Sequence, residues 1–235
     1  MRTSLIFGPR AVAPPQFPVS GTAGAVFDRR PGSAAAILRP GVDLWAWRRG
    51  LPEVLAHHAE ALAADRPRTV RAALDADGDG DRVERLIAER WPAAVPGRRM
   101  LAADAASLAR LLAETVGVRR VTVRVQVSRG AACPLFHVDA MTVRLLCTYA
   151  GPGTEWLAAG DADRSELGLR RRPLARANAA IAPDPGRIRR LPAGWVALLK
   201  GDRARPSGGG LIHRSPDSDE PRLVLVVDPI HEEHP

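Results

Sequence analysis

The sequence predicts an α+β protein, with helices in its first half and a jelly-roll, cupin-like β-barrel in its second. Three observations lead there. Between Leu51 and Val116 apolar residues recur at helical spacing, and from Val121 onward the period switches to two. His137, Asp139, His213 and Arg222, the residues best suited to chemistry, all fall in or beside the strand-like segments. A barrel gathers such distant strands around one pocket.

Taken in order, residues 1–40 are rich in Pro, Gly and Ala without sustained periodicity and read as an extended arm. Residues 41–117 read as a helical support region. Asp43–Arg49 leads into a helix over Leu51–Ala64, where Leu51, Val54, Leu55, His58 and Leu62 form one stripe, and Trp45 and Trp47 read as packing anchors. Asp75–Asp81 resembles a piece of a calcium loop. Ala88 stands where the twelfth-position glutamate belongs, so the segment reads as a turn before a helix at Arg82–Arg90. A third helix follows over Ala102–Val116, with Leu108, Leu111, Leu112 and Val116 on one stripe.

Residues 118–235 read as the barrel, and the whole chain as one structural domain. Val121–Val127 alternates strictly, and Ser128-Arg129-Gly130 turns the chain. In the next strand Val143, Leu145, Cys147 and Tyr149 share one face, with Thr142, Arg144 and Thr148 on the other, before Gly151-Pro152-Gly153 breaks it. Trp195–Leu199, Leu211–His213 and Arg222–Asp228 supply further strands. The insertion over 158–190, charged and rich in arginine, lies where an active-site lid would sit.

The net charge of +8 comes almost wholly from arginine, Lys200 being the sole lysine. The densest basic stretches, Arg170–Arg172 and Arg187–Arg190, contain no aromatic residue and read as a solvated basic loop in preference to a nucleic-acid face, with an acidic small molecule or peptide left open as substrate. No signal peptide and no run of about 20 apolar residues is present, so a cytoplasmic protein without membrane attachment is expected. The terminal H-E-E-H is one residue short of a zinc helix motif and reads as a solvated tail. Of the two cysteines, Cys147 reads as a small buried apolar residue. Cys133, four residues before His137, is an alternative metal ligand.

Two imidazoles and a carboxylate form the facial triad that holds non-haem Fe(II) while leaving positions open. An arginine nine residues beyond the second histidine offers a fork for the carboxylate of a keto acid. Arg144, Arg214 and Ser215 are placed to orient the metal-binding side chains.

At C-P-L-F-H-V-D, L-C-T-Y-A-G-P-G-T-E-W-L, L-I-H-R-S-P and P-R-L-V-L-V-V-D the chain resembles a bacterial family of domains of unknown function. Its members share a Cys–Phe-His-x-Asp segment, a T-Y-x-G-x-G-T-x-W segment and a terminal H-R-S-P. The likeness runs over most of the chain and is densest in Cys133–Trp156 and Gly210–Asp228. More remotely, the order H-x-D, distal His, then Arg looks like that of the 2-oxoglutarate/Fe(II) dioxygenases. That resemblance implies a double-stranded β-helix with helices packed on one side. It implies Fe(II) on His137, Asp139 and His213, and the far carboxylate of 2-oxoglutarate on Arg222; from position alone, Tyr149 or Thr148 is the candidate to hydrogen-bond the keto acid. The G-T-E-W stretch has no counterpart there. Two functions stay open at this level: a hydroxylase-type Fe(II)/2-oxoglutarate oxygenase, and a zinc- or other metal-binding cupin-like protein for sensing, storage or metal homeostasis without enzymatic activity.

Overall fold

A computed structural model describes residues 22–75, 80–91, 97–168, 172–204 and 209–231. The elements run β1 (Ala25–Asp28), β2 (Leu44–Trp47), α1 (Glu53–Ala64), β3 (Arg68–Asp75), α2 (Gly80–Arg90), α3 (Arg98–Val116), β4 (Arg120–Ser128), β5 (Val143–Ala150), β6 (Glu155–Leu157), α4 (Leu174–Ile181), β7 (Arg189–Arg190), β8 (Val196–Lys200), β9 (Ile212–Arg214) and β10 (Arg222–Ile230). Seven strands form one sheet in the order β1-β2-β8-β5-β10-β4-β3, antiparallel except at β1–β2. The other three form a small antiparallel sheet, β7-β6-β9.

Period-two alternation decides which side each strand residue serves. Val121, Val123, Val125 and Val127 of β4, with Leu223, Leu225 and Val227 of β10, face the helical layer, where α3 contributes Leu101, Leu108 and Leu112. Leu146, Val224, Val226 and Leu199 point the opposite way and meet Trp156, Leu191 and Leu211 from the small sheet and its flanks. The result is a layer of helices, a large sheet and a small sheet, a mixed α+β architecture. α3 stops at Gly117, whose left-handed φ of 72° lets its N–H cap the carbonyl of Ala113.

The predicted helices are present, but the segment before residue 118 also supplies three strands that the expected arm and helical region did not contain. β2 reads L-W-A-W because both its faces are covered, which removes the alternation that marks a strand. β3 carries alanine at Ala72 and Ala73 and takes its strand form from pairing with β4 along its whole length. The boundary drawn at residue 117 is therefore crossed by the large sheet. Trp45 is fully buried and donates its indole N–H to Ser33, while Trp47, half-buried, donates to the carbonyl of Arg29. The centre of the calcium-like segment, 76–79, lies outside the described residues, as do 1–21, 169–171 within the basic insertion, and 232–235 of the terminal H-E-E-H. No helix among the described residues is long and apolar enough to cross a membrane.

Candidate metal centre

His137 lies on the loop between β4 and β5 and is held by a strand-like exchange with β9. Its N–H donates to the carbonyl of His213 at 3.0 Å, and the N–H of His213 donates back at 3.0 Å. Residues paired this way project to the same side, and the imidazole centroids stand 4.6 Å apart. The loop is fixed from behind by Asn178 of α4. The buried Phe136 donates its N–H to Asn178 Oδ1 at 2.9 Å, and Asn178 Nδ2 donates to the carbonyl of Pro134 at 2.8 Å.

Each imidazole sets its Nδ1 against a backbone carbonyl, His137 to Leu135 at 2.8 Å and His213 to Leu211 at 3.1 Å. Nδ1 is thus the protonated nitrogen of the neutral ring, and the Nε2 lone pair is free. Both Nε2 atoms face Asp139, at 3.7 Å from Oδ1 and 3.3 Å from Oδ2. Arg144 donates to Asp139 Oδ1 at 2.6 Å and is itself held by Asp228 at 2.6 and 2.9 Å. Asp139 Oδ2 is buried without a hydrogen-bond partner. Burial brings the pKa of His213 down to about 4 despite the pull of Asp139, so protons compete weakly for its lone pair at neutral pH.

The three donor atoms lie within 4.8 Å of one another. Donors at about 2.1 Å from one ion and at right angles to each other stand about 3 Å apart. Two nitrogen lone pairs and an orphaned carboxylate oxygen, with the carboxylate 3.3 and 3.7 Å from the two imidazoles, form a set that a divalent cation would draw together.

His137 and His213 open onto a cavity of about 280 Å³ between the two sheets, floored by Arg144, Leu146, Arg222, Val224 and Val226. Arg222 is 3% exposed and extends from the first position of β10. Its guanidinium donates to Thr148 Oγ1 at 3.4 Å and Thr154 Oγ1 at 3.3 Å, while its buried Nε has no partner. Among the described residues no carboxylate pairs with it. Burial, with Arg190 nearby, lowers its pKa to about 10, which still leaves it charged at neutral pH.

The G-P-G turn brings Thr154 to this place. A Cβ on Gly153 would lie 1.6 Å from the carbonyl oxygen of Leu191, so the backbone there must be bare. The next residue, Glu155, takes Arg190 at 2.7 Å and Arg214 at 2.8 Å.

Several expectations need correction. Tyr149 does not face the cavity: it sits with Val143, Leu145 and Cys147 on the helical side and donates its hydroxyl to Asp104 Oδ2 at 2.6 Å. Thr148, one residue earlier and so on the opposite face, reaches Arg222. The imidazoles are oriented by the carbonyls of Leu135 and Leu211, whereas Arg214 is engaged by Glu155 and stacks on Phe136, and the Ser215 hydroxyl accepts from the N–H of Cys133. Arg144 does contact Asp139 directly. Cys133 lines the cavity but is exposed and stands outside the converging donor set, because its backbone pairs with Ser215, beyond the His137–His213 pair. Cys147 is buried, which pushes its thiol up to about 12 and makes it inert packing.

The 158–190 insertion is no simple lid. α4 packs Ile181 against Phe136, Leu157 and Ile212 and buttresses the His137 loop. Asn178, Thr154 and Glu155 escaped the sequence reading, although the latter two lie inside the G-T-E-W segment that it had singled out.

The structure is similar to that of the rice dioxygenase for auxin oxidation, with a TM-score of 0.51, 14% identity, and coverage of 89% of this chain and 83% of that one. It also matches the Arabidopsis thaliana dioxygenase for auxin oxidation 1, solved with 2-oxoglutarate, at a TM-score of 0.49, 11% identity, and coverage of 88% and 92%. The first likeness shows a shared fold. No curated protein matches the sequence. Residues 28–228 match the family described as "Protein of unknown function (DUF1826)", and the chain belongs to that family.

Proposed function

We propose that this protein is a hydroxylase-type oxygenase that depends on Fe(II) and 2-oxoglutarate. The observation that carries this reading is Arg222, a buried charged guanidinium with no acidic partner among the described residues, lining the same cavity as His137 and His213 of the donor set. A metal store or sensor needs the donors but has no use for such an arginine. Burying an unpaired charge is costly, so a site that keeps one implies an anion that arrives to meet it. The fold alone does not decide the chemistry.

In this reading His137, Asp139 and His213 would be the protein's ligands to iron. Iron held there supplies oxygen activation coupled to decarboxylation of the keto acid. Arg222 would take the far carboxylate of 2-oxoglutarate, and the Thr148 and Thr154 hydroxyls hold its guanidinium in place. Leu146, Val224 and Val226 line the cavity with apolar surface and limit water beside the reacting groups.

The test is metal content and succinate formation. Full-length protein purified without oxygen or chelator should carry equimolar iron, and with oxygen and 2-oxoglutarate it should release succinate slowly even without its substrate. His137→Ala and Asp139→Ala should abolish that release. Arg222→Leu should raise the 2-oxoglutarate requirement while leaving iron content unchanged, and Cys133→Ser should change neither. Equimolar zinc that depends on Cys133, with no succinate, overturns the proposal in favour of the metal-binding alternative.

A further inference from the structure

The cavity-side face of the large sheet divides into two unlike parts. From β1 to β10 its centre is apolar and covered, with Leu44, Leu146, Leu199 and Val226 packed beneath Trp156 and Leu211, and the polar residues flanking that centre, Arg144, Thr148 and Arg222, each contact a neighbouring side chain. Across β4 and β3 the same face is polar and half-open: Arg124 and Gln126 line the cavity, and Arg71 stands beyond them. Register places Arg124 directly between Val226 of β10 and Arg71 of β3. Two arginines facing each other across a strand pair repel, and folding alone gives no reason to keep them.

Their neighbours do not relieve this. Asp228, the carboxylate whose charge acts on Arg124, is already held by Nε and Nη2 of Arg144, whose Nη1 serves Asp139. Among the described residues neither Arg124 nor Arg71 has an ion pair, and Arg124 Nε is buried with no hydrogen-bond partner. The cavity therefore holds two arginines with unmatched donors, Arg222 beside Thr148 and Thr154, and Arg124 at the far side of Val224 and Val226. Arg124 pairs with Val226, four residues along β10 from Arg222, so the two side chains enter the cavity from backbone positions about 13 Å apart along the strands.

We propose that the substrate oxidised at this site carries an anionic group, carboxylate or phosphate, which the Arg124 fork binds with the Gln126 amide beside it and Arg71 adding charge from β3. The assignment of Arg222 to 2-oxoglutarate, and of the bound molecule to oxidation, rests on the function proposed above, whereas the anion site at Arg124 does not. A guanidinium fork suits both anions because each presents two coplanar oxygens.

The experiment reads the two arginines separately. In ¹⁵N-labelled full-length protein loaded with zinc as a diamagnetic metal, the Nε–Hε resonances are assigned by Arg124→Lys and Arg222→Lys. 2-Oxoglutarate should shift Arg222. Acetate or inorganic phosphate, added after 2-oxoglutarate is saturating, should then shift Arg124 saturably. Acetate alone acting assigns a carboxylate, and phosphate alone a phosphate. Arg124→Leu should weaken that second binding about tenfold or more, read on the Gln126 side-chain amide, with 2-oxoglutarate affinity unchanged. Arg124 unmoved by both anions, or anion affinity unchanged in Arg124→Leu, overturns the proposal. If Arg124 responds while Arg222 ignores 2-oxoglutarate, the anion site stands and the oxygenase reading falls.

Discussion

Replacing Asn178 with alanine tests whether α4 places the metal centre or merely covers it. The substitution removes both hydrogen bonds that tie the His137 loop to α4 and leaves the Phe136 N–H and the Pro134 carbonyl without those partners. Each stranded buried group costs about 1–3 kcal/mol, and water entering the space vacated by the amide offsets part of it, so the expected loss is about 2–4 kcal/mol. A domain with about 5–15 kcal/mol of stability remains folded after that. Because Phe136 directly precedes His137, a loosened loop also spreads the donor set, and changes of this kind typically cost about 10–100-fold in metal affinity. Urea unfolding of the metal-free protein measures the first effect, and titration with Co(II), followed by its visible absorption, measures the second. Asn178→Asp keeps the acceptor for Phe136 but sets a carboxylate oxygen against the Pro134 carbonyl and buries a charge, so it should be at least as destabilised as Asn178→Ala. Lower stability with unchanged Co(II) affinity would refute the reasoning, since the loop would then reach its position without Asn178.

Two further predictions follow from the sheet faces. Tyr149→Phe deletes the hydroxyl bonded to the Asp104 carboxylate and should destabilise the protein by about 1.5–3 kcal/mol in urea unfolding. It should leave 2-oxoglutarate affinity unchanged, and a loss of affinity would place Tyr149 on the wrong face. Gly153→Ala drives a methyl group into the carbonyl of Leu191. It should cost about 1–3 kcal/mol in thermal or urea unfolding and, by displacing Thr154, also weaken 2-oxoglutarate binding measured by calorimetry.

The sequence made the long elements legible because their patterns are local. β4 alternates without a break, and the stripe of α3 ends at a glycine. What stayed hidden depends on partners far away in the chain. β6, β7 and β9 are two or three residues long and exist only through pairing with one another, while β3 reads as a strand only beside β4. Convergence of His137, Asp139 and His213 was suggested by residue type and order, but the groups that orient them were not. Backbone carbonyls leave no mark in a sequence, and Asn178 lies 41 residues beyond His137 inside a segment without clear period. Tyr149 is a different case. The alternation that puts Val143, Leu145 and Cys147 on the helical face puts Tyr149 there too, and the period alone was enough to choose Thr148 over it.

The G-P-G-T-E-W segment joins these strands of reasoning. It is the crossing from the large sheet to the small one, and its residues act in succession on different parts of the site. Gly153 lets the chain pass against the backbone at Leu191, and Thr154 then reaches Arg222. Glu155 gathers Arg190 and Arg214, so that of the three guanidinium groups near this end of the cavity only Arg222 keeps its charge unmatched. Trp156 lies opposite His213 in the small sheet and fills the space between the layers, fixing the strand from which that imidazole projects. A motif that matches no ligand or nucleophile can therefore govern a site, because it decides which charge is satisfied internally and which is left for a ligand.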